Sequence, residues 1–258
     1  MSVENPSEGR LEEEKQIEMG EPLESKELFD LLTNAGLKGF KPEFVQELGE
    51  SGTEKEDVDL AIKFMACLTA VNGLVFNDRV ELIFNTGEEE PENFIQYSPK
   101  REGEYDENYW ISIGHFGKIV RKQMGENHRV FLDKNSHLIK YEEDAPPVLL
   151  EELLLGIAVH EVRHRLQEKK QISMIGGKDK VILDGNYIDP NFIKLQASFI
   201  KGLRGKSKKA MDAGLLERKT GNRELDAVIV EKVAVSRLHH RRTSLEQLKQ
   251  LATIEPEE

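Results

Sequence analysis

Cysteine is almost absent from this chain: Cys67 is the only one in 258 residues. A single thiol cannot form an internal disulfide, which predicts a reducing compartment, the cytoplasm. Cys67 stands between Met65, Ala66 and Leu68, so it reads as a small buried hydrophobe rather than a nucleophile. Long apolar runs are missing too. None approaches the roughly 20 residues of a membrane span, so no membrane partner is expected. Residues 1–22 lack the basic-then-apolar layout of a secretion signal. Positive charge is in deficit, 36 Lys and Arg against 48 Asp and Glu, for a net charge of -12. That balance argues against nucleic acid as a partner. The local basic clusters, Lys206 to Lys209 and Arg237 to Arg242, carry no interleaved aromatics. They read as a solvated loop and a cationic helix end.

What is present is a mixed, polar composition with 38% hydrophobic and 33% charged residues, typical of a water-soluble globular chain. The length suits one domain with accessory pieces. No internal repeat is visible. Residues 1–22 are Glu-rich and read as a disordered acidic tail. Residues 23–73 read as an N-terminal helical region. It holds a helix over 26–34 stopped by Ala35-Gly36, and a short piece over 42–48. A second helix is opened by the capping box Thr53 to Glu56 and closed by Asn72-Gly73. Residues 74–252 form the main domain, and 253–258 a C-terminal tail. Alternation predicts strands over 75–84, 93–98, 109–114 and 130–132. A helix over 147–167 follows, capped by Asp144 with Pro146 and Pro147 near its first turn. Residues 172–190 read as irregular. Helices are expected over 191–203, from Glu224 to about His240 behind an Asn222 cap, and over 244–252. Strands followed by helices give an α+β fold.

The helix over 147–167 carries His160-Glu161-Val162-Arg163-His164, an H-E-x-x-H pattern. Residues i and i+4 share a helix face, so both imidazoles can address one metal ion. Leu153 and Ile157 continue that face, which turns the histidines inward. Glu161 lies beside them, placed to take a proton from water without being a ligand. Two neutral nitrogens and a carboxylate base are what a zinc (Zn2+) hydrolase needs.

A catalytic zinc site usually has three protein ligands. A third histidine three turns on would fall near Gln167 or Lys170, and neither is one. The remaining candidate is a carboxylate on a later helix. Arg223-Glu224-Leu225-Asp226-Ala227 offers Glu224, in the first turn of its helix, with small Ala227 on the same face. Glu231, seven residues on, is the alternative ligand in a different register. Asp226 points elsewhere unless the helix is rotated.

These two elements, His160-Glu161-x-x-His164 and Glu224-x-x-Ala227, resemble the gluzincin branch of zinc metallopeptidases. The resemblance covers the two helices and, loosely, the strands before them. It implies a zincin-like domain with a small, mostly antiparallel sheet, Glu224 as third zinc ligand and Glu161 as general base. It also implies a peptide or protein substrate that pairs with the sheet edge at 109–114. Several members carry an acidic or amide residue directly after the Ala. Here that position is Val228, so the support behind the histidines is unassigned, and Asp226 is the candidate for it if the helix is rotated. Tyr187, His239 and Arg163 are candidate donors to an oxyanion, and His115 is a loop residue rather than a ligand. The expected function is a zinc metallopeptidase. The rivals are a non-catalytic interaction protein with a vestigial or structural metal site, and a metal-dependent hydrolase of a non-peptide substrate.

Overall fold

The computed structural model of the chain describes residues 20–40, 54–78, 80–85, 95–98, 107–113, 116–117, 120–121, 124, 130–133, 138–141, 147–172, 181–183, 186–204 and 216–255. The acidic tail, the piece over 42–48, Thr53, His115, Asp144, Pro146 and the Lys206 cluster lie outside them. The described fold is α+β, mostly helical with two small sheets.

Two helices come first, α1 (Ser25–Leu37) and α2 (Lys55–Phe76). Asn72-Gly73 does not close α2. The helix runs one turn further and ends on Asn77, left-handed at φ 53°, whose N–H bonds the Gly73 carbonyl at 2.9 Å. Asn72 has another use: its side chain is buried and accepts from Tyr109 and Arg165. A polar side chain spent on a buried network is not available to stop a helix. Gly36 of α1 lies so close to the Ala66 backbone of α2 that a Cβ there would overlap it. By length and composition α2 is apolar enough to cross a membrane, with mean hydropathy 1.6. That corrects the reading that no such run exists. Phe64, Met65, Cys67, Leu68 and Val71 are buried in the common core. Burial also pushes the Cys67 thiol up, which suits an unreactive packing residue.

The strands are β1 (Glu81–Asn85), β2 (Ile95–Ser98), β3 (Asn108–Ser112), β4 (Val130–Asp133), β5 (Leu138–Tyr141), β6 (Val181–Leu183) and β7 (Asn186–Ile188). They form two mixed sheets rather than one mostly antiparallel sheet. The first is ordered β1-β3-β2, with β1 parallel and β2 antiparallel to β3. The second is ordered β4-β5-β7-β6, with β5 and β7 parallel and the outer pairs antiparallel. Three sequence expectations change. Residues 74–76 are helix, so the first strand starts at Glu81. Residues 172–190, read as irregular, contain β6 and β7; at three residues each they are too short to show a period. The strand at 109–114 is not an edge, because β3 is paired on both sides. Buried Tyr109 and Ile111 fit that central place.

Four more helices complete the described fold: α3 (Leu150–Glu168), α4 (Pro190–Arg204), α5 (Leu216–His240) and α6 (Leu245–Thr253). The α3 helix carries the H-E-x-x-H residues. Nearly every residue from Glu152 to Gln167 is buried. A helix buried on all sides must be packed on all sides, and α3 touches α1, α2, α5, α6 and β2. Its start lies later than the sequence suggested, since Pro147 precedes it. Its N-terminus is capped by Glu152, which accepts from the Leu149 N–H at 2.9 Å. Glu152 also receives Ser25 Oγ at 3.2 Å and His239 Nδ1 at 2.9 Å, so one buried carboxylate joins α1, α3 and α5. On α6, Ser244 caps as its residue type predicts, accepting from the Gln247 N–H at 3.2 Å.

Gly156 sits one turn before His160. A Cβ on it would stand 2.5 Å from Val235 Cγ2 and 3.5 Å from Glu231 Cγ. The missing side chain is what lets α3 and α5 approach. Gly156→Ala gains up to about 1 kcal/mol of helix propensity but overpacks the contact, which costs about 1–3 kcal/mol. The net expectation is a lower melting temperature. In a Val235→Ala background the clash is gone, so the same substitution should raise it. Thermal unfolding of the four proteins reads this sign reversal; an equal effect of Gly156→Ala in both backgrounds would contradict the close approach.

Candidate metal centre

Two helices build the site. On α3, His160 and His164 fall one turn apart and turn the same way. Their Nε2 atoms lie 3.0 Å from each other. On α5, Glu224 reaches both rings, with Oε1 at 3.6 Å from His160 Nε2 and Oε2 at 3.2 Å from His164 Nε2. Among the described residues these three are the cluster able to hold a metal. A tetrahedral centre with bonds of about 2.0–2.1 Å sets its ligand atoms about 3.3 Å apart. The observed separations bracket that value.

The sequence reading placed Glu224 in the first turn of its helix behind an Asn222 cap. Instead α5 begins at Leu216 and runs through both residues. Glu224 therefore sits more than two turns inside the helix and owes nothing to a helix terminus. Ala227 is fully buried, as a close helix contact requires.

Glu231 also approaches the histidines. Its Oε2 is 3.1 Å from His160 Nδ1, nearer to that ring than Glu224 is. It addresses the opposite nitrogen, however. A carboxylate on Nδ1 holds the hydrogen there and leaves Nε2 for a metal. The support behind the histidines, unassigned in the sequence, is thus Glu231 for His160. For His164 it is Gln167, whose Oε1 lies 3.1 Å from Nδ1. Both supports fall at helical spacings from residues already singled out. Gln167 is three residues past His164, and Glu231 is two turns past Glu224.

Asp226 lies on another face of α5 and serves α3 differently. It is fully buried and accepts from Arg163 Nε at 2.8 Å and Nη2 at 3.1 Å, and from Gln167 Nε2 at 2.6 Å. Arg163 Nη1 continues to the Ala252 and Ile254 carbonyls at 3.2 and 2.7 Å. Arg163 is therefore engaged in the core rather than aimed at an oxyanion. His239 is bonded to Glu152, and Tyr187 lies in β7 rather than in a loop.

Charge explains the titration of the site. Burial alone would lower the His160 pKa. The Glu231 hydrogen bond and the charges of Glu224, Glu231 and Glu161 outweigh it and push His160 up to about 9. Two facing Nε2 lone pairs 3.0 Å apart repel unless a cation lies between them. In the metal-free protein a proton on His160 meets that need. Glu231 is buried as well, yet the Lys232 charge and the His160 hydrogen bond hold it at about 2. Lys232 Nζ lies 2.7 Å from its Oε1. Glu161 is buried, and burial raises its pKa against the pull of both histidines. Among the described residues its Oε2 has no hydrogen-bond partner. A buried carboxylate oxygen left without a donor is costly.

Beside the centre, Arg165 ties α3 to its surroundings. It bonds Asp78, Glu107 and Asn72 at 2.6–2.8 Å, and its guanidinium lies over the Phe76 ring. Tyr97 donates to the same Glu107. Burial and then the charge of Glu161 push the Tyr109 phenol well above its ordinary value.

No protein-family model, curated protein or solved structure matches the chain.

The raised His160 pKa fixes the sign of two pH effects. The stability that its proton confers is complete below about 6.5 and is lost as pH rises towards 9. The metal-free protein should therefore melt at lower temperature across that window. A metal competes for the same nitrogen, so its affinity should rise with pH, by up to about tenfold per unit where one proton is released. The melting-point increase caused by a fixed excess of zinc should grow from pH 6.5 to 9. An increase that is flat or shrinks over this range would contradict the shared proton.

Proposed function

We propose that the chain is a zinc-dependent metallopeptidase of the gluzincin type, with His160, His164 and Glu224 as metal ligands and Glu161 as general base. The observation that carries this reading is the convergence of three ligand atoms from two helices beside a buried carboxylate with an unpartnered oxygen. Two imidazoles and one carboxylate form a donor set suited to zinc. A zinc ion bound there would supply Lewis acidity, polarising a carbonyl and acidifying water.

The chain's own residues supply the rest. Glu231 keeps the His160 imidazole hydrogen on Nδ1. Glu161, raised by burial, takes the proton from the attacking water at Oε2 and delivers it to the leaving amine. Tyr109 and the apolar residues of α3 limit water around it. A structural site has no use for such a carboxylate, which speaks against the vestigial reading. The peptide as substrate comes from the resemblance of the two motifs, as does the zincin-like arrangement. The helix pair α3 and α5 beside a small sheet is consistent with that arrangement.

Metal content of the purified chain should be near one zinc, and His160→Ala or Glu224→Ala should remove most of it. Cleavage of a peptide library should stop with a chelator and resume on zinc addition. Glu161→Gln keeps the side chain's shape and removes the base. It should retain zinc and fold but lose at least two powers of ten in rate. Wild-type turnover by Glu161→Gln would remove Glu161 from the mechanism, and full zinc retention by Glu224→Ala would remove Glu224 from the centre.

A further inference from the structure

We propose that Gln167 is a positioning residue: gripped by Asp226 and the Arg223 carbonyl, it holds His164 in the one tautomer that turns an Nε2 lone pair to the metal. The inference rests on the metal-centre reading above and deepens it.

The reasoning starts from acceptors. The Gln167 amide nitrogen lies 2.6 Å from Asp226 Oδ2 and 2.9 Å from the Arg223 carbonyl oxygen. A carboxylate and a backbone carbonyl can only accept, so both amide hydrogens are committed to them. The side-chain orientation follows from these partners alone. Oε1 must then face His164 Nδ1, at 3.1 Å. An amide oxygen can only accept, so the imidazole hydrogen is on Nδ1 and the lone pair on Nε2. Were the amide free to turn, its NH2 could face the ring and draw the opposite tautomer, with the hydrogen at the metal position.

Asp226 is itself held. Arg163 binds both of its oxygens, and neither side chain has any exposure. The Arg163 guanidinium is fixed in turn by the Ala252 and Ile254 carbonyls at the end of α6. Orientation passes from the C-terminal helix to Arg163, Asp226, Gln167 and His164. A difference between the two histidines explains the choice of residue. His160 is served directly by the carboxylate of Glu231. Glu161, Glu224 and Glu231 already gather around the rings. A neutral amide orients the second ring without a fourth carboxylate, and the negative charge behind it is matched by Arg163. Gln167 acts through His164 and touches no reacting atom.

Imidazole tautomers are read directly from long-range 1H–15N spectra of the 15N-labelled full-length chain, zinc-loaded and, above pH 9, zinc-free. Wild-type His164 should carry its hydrogen on Nδ1 in both. Gln167→Met has similar length, no donor and only a weak thioether acceptor. It should lose the single-tautomer pattern and bind zinc about 10–100-fold more weakly in chelator competition, with cooperative unfolding showing that the fold is kept. Gln167→Ala serves as the second variant if Gln167→Met does not fold. A hydrogen on Nε2 in the wild-type zinc-free chain overturns the proposal without any variant. A folded variant with the wild-type pattern and zinc affinity within twofold also overturns it, while leaving the metal reading intact. If the wild type takes up no zinc but its tautomer still follows Gln167, the metal reading fails and the orientation by Gln167 stands.

Discussion

The buried pair between Arg163 and Asp226 is the constraint on which the rest of the structure depends. It lies at the crossing of α3 and α5, with no solvent exposure on either side chain. An unpartnered charge there would cost several kcal/mol, so each partner makes the other obligatory. The pair fixes the rotation of α5 against α3, and with it the face that carries Glu224 and Glu231. It also collects the last carbonyls of α6, which a helix end would otherwise leave unsatisfied. The same carboxylate sets the Gln167 amide. One interaction therefore does the helix packing, the C-terminal docking and the ring orientation.

Around that pair the chain is arranged to bring charge into an apolar centre. The α3 helix is enclosed by four helices and a strand, and Gly156 removes the side chain that would hold α5 away. Glu161 and Glu231 are buried with Glu224 close by, and they face two imidazoles and Lys232. Such a cluster is costly without a positive centre. The raised pKa of His160 is a consequence of that imbalance.

Much of this was legible in the sequence, and for physical reasons. The i, i+4 spacing of His160 and His164 survives any packing because it belongs to the helix itself. Ala227, three residues after Glu224, is small and is buried, and α3 and α5 do pack against each other. Other features depend on tertiary partners and were hidden. Asn72 looks like a helix stop and is instead a buried acceptor for Tyr109 and Arg165. Asn222 looks like a cap, yet α5 runs through it. Asp144 and Pro147 suggested where α3 begins, but Glu152 caps it from inside, because the same carboxylate also meets Ser25 and His239. Three-residue strands such as β6 and β7 carry too few residues to show alternation. Central or edge position of β3 depends on which strands join it, and no local pattern encodes that. Spacing makes Glu231 a rival ligand, and the side of the imidazole it reaches is set by how α5 lies against α3.

The central claim is a metal held by His160, His164 and Glu224 at the α3–α5 crossing. An anomalous difference map at the zinc edge, from crystals grown with one equivalent of zinc, tests it most directly. The expected result is one strong peak within about 2.0–2.2 Å of both Nε2 atoms and a Glu224 oxygen, with Glu231 remaining on Nδ1 of His160. A map without a peak between the two histidines, or with Glu224 turned to solvent and Glu231 on the metal, would contradict it.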